Sequence, residues 1–288
     1  MKILDKLAVG LYSAALALSL YHISSDEVDN GLNLTARILL DENTHSDPKH
    51  RSLKTYSRRP MIDVPRTIVS KYGYTGTAFK VGDDLWITAR HVVNDCKAAY
   101  VQPNSESNED EYVLIDTTFL HPRSDMAAFR YSNNATPFTI PDLTDPENKS
   151  FLRSKAFAIG YPDGYEGNLS VNYLGKAALR IKDYEIIEPV FVWNVKHKRP
   201  KTLTSVGGIS GGPLFNDNGK IIGSLVAEQM RRGTISTADL HSMNWLIKAM
   251  DLKKSSAYVD KPLSVSNIDQ VSKDFLKQGN VVQVICDT

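Results

Sequence analysis

The chain has 288 residues, 42% of them hydrophobic and 23% charged, with a formal net charge of +1 at pH 7. This length supports one large or two small cores, and the composition is that of a folded globular protein. Lys and Arg are spread along most of the chain, so a nucleic-acid partner has no electrostatic footprint here.

The N-terminus reads as an export signal. Lys2 and Lys6 precede an apolar run from Leu7 to Leu20. Such a run is shorter than the roughly 20 residues a membrane span needs and suits the core of a secretory leader. Small residues in Ala17-Leu18-Ser19 and Ile23-Ser24-Ser25 offer cleavage sites. The expectation is a periplasmic or secreted protein, with residues 1–25 either removed or kept as a membrane anchor through residues 7–23. Loss of the leader takes away Lys2, Lys6 and Asp5 and leaves a neutral protein. Cys96 and Cys286 are the two cysteines. In an oxidising compartment two cysteines suit one disulfide, the alternative being two separate buried thiols. Neither spacing nor an H-E-x-x-H motif suggests a metal site.

Residues 26–62 hold one apolar patch, Leu32 to Leu40, and then a polar, basic stretch that reads as a linker or strap. From residue 63 short β-type runs alternate with turn signals. Ile68-Val69 leads into Gly73 to Val81, the turn Gly82-Asp83-Asp84 follows, and Leu85 to Ala89 forms the next run, ending at Arg90-His91. Ala98 to Val101, Glu111 to Phe119 and Met126 to Tyr131 continue the series. A second β unit opens at Lys155 and runs through Gly175 to Ile181, Ile186 to Val195 and Lys220 to Ala227. Leu240, Met243, Leu246, Ile247 and Met250 then fall on one helical face, behind a candidate capping box at Ser236-Thr237-Ala238-Asp239. The spacing predicts a second helix over Ser266 to Gln278, stopped by Gly279, and a final strand over Val281 to Ile285. Residues 251–288 are too few for a separate domain and are expected to pack on the barrel.

The chemistry centres on Gly207-Gly208-Ile209-Ser210-Gly211-Gly212-Pro213. Glycines let the backbone near a serine hydroxyl approach a ligand and present amides to a developing oxyanion. Serine needs a base, and neutral imidazole serves near pH 7. Of seven histidines, His91 alone is mounted at the end of a strong apolar strand. The imidazole needs an acceptor on its other nitrogen. Asp125, heading the apolar run Met126 to Phe129, is the best candidate, and Asp116 is the runner-up.

Gly76-Thr77-Ala78-Phe79, Trp86 to Val93, Asp125-Met126-Ala127, Ala158 to Pro162, Gly208 to Leu214 and Gly219 to Gly223 occur in one order over residues 64 to 250. On these pieces the chain resembles the chymotrypsin-fold (trypsin-like) serine proteases, in particular the HtrA-type bacterial branch, here without the peptide-binding PDZ domain. The resemblance implies an all-β fold of two six-stranded antiparallel barrels over residues 63–250, with a C-terminal helix and a short α/β tail. It implies His91 as general base, Asp125 as its orienter and Ser210 as nucleophile. It also implies an oxyanion hole made by the backbone N–H groups of Gly208 and Ser210. Leu225-Val226-Ala227 is expected to pair with the substrate backbone, and Thr204 and Ser205 to line the specificity pocket. No metal or organic cofactor is expected, and the partner is a protein or peptide substrate. Ile209 stands where the family usually has Asp or Asn, so activation through a buried ion pair with a new N-terminus is not expected. With no charge at Thr204 or Ser205, a neutral, small or aliphatic side chain is expected before the cut.

Two rival readings differ in class. An α/β-hydrolase esterase also uses G-x-S-x-G, but its serine leads into a helix and its acid and histidine follow in the chain. Here Pro213 and the turn Asn216 to Gly219 lead into a strand. A protease-like fold kept as a binding module typically lacks a triad member, whereas all three candidates are present.

Overall fold

The structure is a computed structural model that describes residues 35–40, 59–64, 73–103, 112–140, 155–251, 255 and 257–288. The leader, residues 1–25, and most of the 26–62 strap lie outside the described residues. Two β units carry the chain. In the first, β1 (Ala36–Leu39), β3 (Tyr74–Lys80), β4 (Leu85–Thr88), β5 (Ala98–Gln102), β6 (Val113–Leu114), β7 (Thr117–Leu120), β8 (Ala127–Arg130) and β15 (Val281–Asp287) form one curled sheet. Its order is β1-β7-β8-β4-β3-β15-β5-β6.

The second unit comprises β9 (Lys155–Gly160), β10 (Gly167–Ile181), β11 (Ile186–Arg199), β12 (Pro213–Phe215), β13 (Ile221–Gln229) and β14 (Thr234–Ala238). These close on themselves through the β10–β11 pairing, and β2 (Met61–Val64) lies parallel on β10. The expected two-barrel all-β architecture is therefore present. The second barrel is closed with six strands, whereas the first is an open curled sheet whose edge is extended by the parallel strand β1.

Alternation explains the layers. On β15, Val282, Val284 and Cys286 join Trp86, Val92, Val101 and Phe129 in the core of the first unit. Trp86 stacks on Phe129 with centroids 6.2 Å apart, and its indole N–H donates to the Tyr131 carbonyl at 2.8 Å. A continuous apolar cluster links Phe79, Ile87 and Met126 of the first unit to Phe157, Ile159 and Phe215 of the second.

Among the described residues three α-helices complete the fold: α1 (Arg90–Val93), α2 (Leu240–Ala249) and α3 (Ile268–Lys277). The N-cap of α2 is Asp239, whose carboxylate accepts from the His241 and Ser242 amides at 3.0 and 3.1 Å. Ser236 is not a capping residue; it lies inside β14, because pairing to β11 and β13 takes precedence over a local side-chain turn.

One expectation is corrected. The C-terminal segment does more than pack on the barrel. β15 inserts between β3 and β5, pairing Val281 with Phe79, Val284 with Gly76 and Cys286 with Ala99. A disulfide joins Cys286 to Cys96, across a sequence separation of 190.

Candidate active site

His91 does not end the strand. β4 stops at Thr88 and the chain turns at Ala89 into the single-turn helix α1, which carries His91. Asp125 lies two residues before β8 and is 1% exposed. It holds His91 twice: Oδ1 accepts from the His91 backbone N–H at 2.9 Å, and Oδ2 lies 2.6 Å from His91 Nδ1. The Asp125 carbonyl also accepts from the Arg90 N–H at 3.2 Å, and Tyr74 donates its hydroxyl to the His91 carbonyl at 2.9 Å. These contacts fix the tautomer with the proton on Nδ1 and leave Nε2 as the basic nitrogen. Burial, the largest influence, pulls the imidazole pKa down. The charge of Asp125 and its hydrogen bond, with a contribution from Asp95, outweigh that, so the net shift is upward from 6.5. Asp116, the runner-up, is exposed in the turn between β6 and β7.

Asp125 is itself held from behind by a residue that the sequence reading missed. Glu188 on β11 is fully buried; its Oε1 accepts from the Asp125 N–H at 2.9 Å and its Oε2 from the Ser124 hydroxyl. Burial first, then the charge of Asp125, push the Glu188 carboxyl up to about 8, against the opposing pull of those two hydrogen bonds. A strand of the second unit thus braces the acid of the first.

The serine loop is pinned in the same cross-unit manner. Thr77 on β3 donates its N–H to the Ser210 carbonyl at 2.8 Å and its hydroxyl to the Gly208 carbonyl at 2.8 Å. The same hydroxyl accepts from the Tyr161 N–H at 3.1 Å. On the other side, the Gly211 N–H donates to the Leu225 carbonyl at 2.7 Å, and the Leu225 N–H donates to the Gly212 carbonyl at 2.9 Å. Gly208 and Gly211 take φ of 88° and 85°. A Cβ on Gly208 would sit 2.6 Å from the Tyr161 carbonyl oxygen, and one on Gly211 would collide with Thr77, Thr88 and Ala89. Both positions therefore require glycine. Among the described residues the N–H groups of Gly208 and Ser210 have no acceptor.

Ile209, between them, is 2% exposed and packs with Val206, Leu214, Ile222 and Leu225. An apolar anchor stands where an ion pair was not expected. Leu225 and Val226 are buried and Ala227 is half-buried. From Val226 to Gln229 the edge of β13 that faces β12 has no partner strand among the described residues. Thr204 is exposed and Ser205 half-buried, the latter hydrogen-bonded to the Glu228 carboxylate.

A family model described as "Trypsin-like peptidase domain" matches residues 76–223, slightly more than half of the chain. The chain belongs to the trypsin-like peptidase family. The matched stretch contains His91, Asp125 and Ser210. Among curated relatives of this trypsin-like chain is "Probable periplasmic serine endoprotease DegP-like" of Chlamydia trachomatis, 26% identical over 179 residues. That alignment covers 61% of this chain and 30% of the relative, so the chain matches less than a third of the relative's length. Similar solved structures include the Rv3671c protease of M. tuberculosis in an inactive form, at 17% identity and a TM-score of 0.46, covering 66% of this chain and 98% of that one. The HtrA-type protease AlgW with a decapeptide is similar at 15% identity and a TM-score of 0.45, covering 61% of this chain and 51% of that one.

Proposed function

We propose that this chain is a serine endopeptidase that cleaves exported or periplasmic proteins through an acyl-enzyme intermediate. The observation that carries the reading is the double hold of Asp125 on His91, at 2.9 and 2.6 Å, in a domain whose glycine loop carries Ser210. In this reading Ser210 Oγ attacks the scissile carbonyl carbon while its proton passes to His91 Nε2, and the carbonyl π pair moves onto oxygen. Asp125 stabilises the imidazolium that forms. The amides of Gly208 and Ser210 hold the oxyanion. Collapse breaks the C–N bond, and His91 returns the proton to the leaving amine. Water, deprotonated by the same imidazole, then cleaves the ester and restores Ser210. The substrate backbone lies along the unpartnered edge of β13 from Val226 onward as an added strand; Leu225, expected to share in that pairing, is already bonded through its N–H and carbonyl to Gly212 and Gly211. Export is supported by the leader-like residues 1–25 and by the periplasmic name of the relative.

The test is covalent labelling of the purified protein with a serine-directed fluorophosphonate, beside Ser210→Ala and His91→Ala. Labelling is expected in the unaltered protein alone, with each substitution costing about 10⁴-fold or more in rate. A folded, unaltered protein that resists the probe would replace this reading with that of a protease-like binding module.

A further inference from the structure

The serine endopeptidase reading leaves open which polypeptides the site accepts, and Glu228 bears on that. It lies three residues beyond Leu225 on β13, in the stretch whose β12-facing edge has no partner strand among the described residues. Its side chain folds back instead of extending into solvent. Oε2 accepts from the Ser205 hydroxyl at 2.8 Å and Oε1 from the Val206 N–H at 3.0 Å. Ser205 in turn accepts from the Gly207 N–H at 2.9 Å. The carboxylate therefore bridges the strand edge open to a substrate backbone and the segment that runs directly into Ser210.

The charge is fixed, half-buried and uncompensated. Among the described residues no Lys, Arg or His lies within ion-pair reach of it; Arg231 and Arg232, in the following turn, are exposed and not paired with it. A carboxylate offers about four acceptor positions, and two are used here. A partly desolvated anion without a counter-ion is unfavourable, whereas one whose orientation is already set by two donors is prepared to receive a cation.

We infer that Glu228 is a specificity-determining residue that selects polypeptides with a Lys or Arg side chain at the residue before the scissile bond. The inference rests on the serine endopeptidase reading. It reverses the neutral preference expected from Thr204 and Ser205. In this inference the residue whose carbonyl meets Ser210 directs its side chain at Ser205 and Val206, five and four residues before the serine, and so at the Glu228 carboxylate bonded to them.

The experiment compares fluorogenic peptides that differ only at that residue. Arg is set against citrulline, and Lys against norleucine, so that shape is kept and charge removed; an alanine peptide reports small side chains. The purified protein is expected to favour Arg over citrulline, and Lys over norleucine, by roughly tenfold to a hundredfold in kcat/KM, the range for a half-buried charge pair. Glu228→Gln preserves a carbonyl acceptor for Val206 and a polar partner for Ser205, and is expected to bring both ratios close to one. Should that variant misfold, protection of the unaltered protein from fluorophosphonate by benzamidine but not by benzamide makes the same comparison. Equal rates for charged and neutral isosteres, or a charge preference that survives Glu228→Gln, would overturn the inference while leaving the endopeptidase intact. A protein that neither labels nor cleaves any peptide overturns the endopeptidase reading and this inference with it.

Discussion

Glu188 and His91 are both shifted upward by the charge of the one aspartate between them. The folded-state pKa of Glu188, about 8, lies above the ordinary value of 4.5. Its contribution to stability is therefore fully present below about pH 4.5 and is lost as pH rises through about 8, where folding must bury a charge beside Asp125 and near Asp239. The melting temperature is expected to fall over that window. Glu188→Gln keeps both partners without ionising, so its melting curve should decline less; parallel profiles by circular dichroism from about pH 5 to about pH 9 would refute this role. For His91 the net shift is upward, so the base loses its proton later than a free imidazole. The acid limb of kcat/KM is expected at a pH above 6.5. Asp125→Asn, which supplies a donor where an acceptor is needed, should lower kcat by about 10⁴-fold. At this scale the sequence exposed His91, Asp125 and Ser210 through their local contexts. Glu188 and Glu228 stayed hidden because each acts on a segment distant in the chain.

The element that sets the serine loop is β3, through Thr77. One hydroxyl and one amide of a buried residue hold Gly208, Ser210 and Tyr161 together. Thr77→Val keeps the shape and the amide bond to Ser210 but loses the two hydroxyl bonds. The expected cost is about 1–3 kcal/mol of stability. Loosening of the Gly208 peptide should also lower kcat by about tenfold to a hundredfold, as small displacements at a reacting centre do. Turnover per fluorophosphonate-titrated site is the measurement; an unchanged kcat would show that Thr77 only stabilises the fold. The strand periodicity of β3 and the 3.6-residue pattern of α2 were legible in the sequence. The one-turn helix at His91 was not, because four residues are too few to show a helical period.

Across the whole molecule, β15 makes the C-terminus part of the first unit. Its buried Val281, Val282 and Val284 sit between β3 and β5, and Cys286 is bonded to Cys96. Truncation after Met250 is expected to leave β3 and β5 without a shared neighbour and to abolish cooperative folding, as read by near-UV circular dichroism and limited proteolysis. The paired Cys96→Ala, Cys286→Ala variant should remain folded but less stable by about 2–5 kcal/mol in denaturant titration. Retention of native signals by the truncated chain would show that the first unit closes without β15.

Local sequence carries the all-β character, the terminal helices and the candidate residues with which a serine protease would work. These are written in local periodicity, in turn chemistry and in a glycine string whose spacing is tightly constrained. The tertiary structure decided which strand lies beside which, that the final strand is internal to the first sheet, and that Glu188 and Glu228 face Asp125 and the Ser205–Val206 segment. Strand pairing and buried polar contacts join residues far apart along the chain, as Cys286 with Tyr74, 212 positions away. No window of local sequence records those distances.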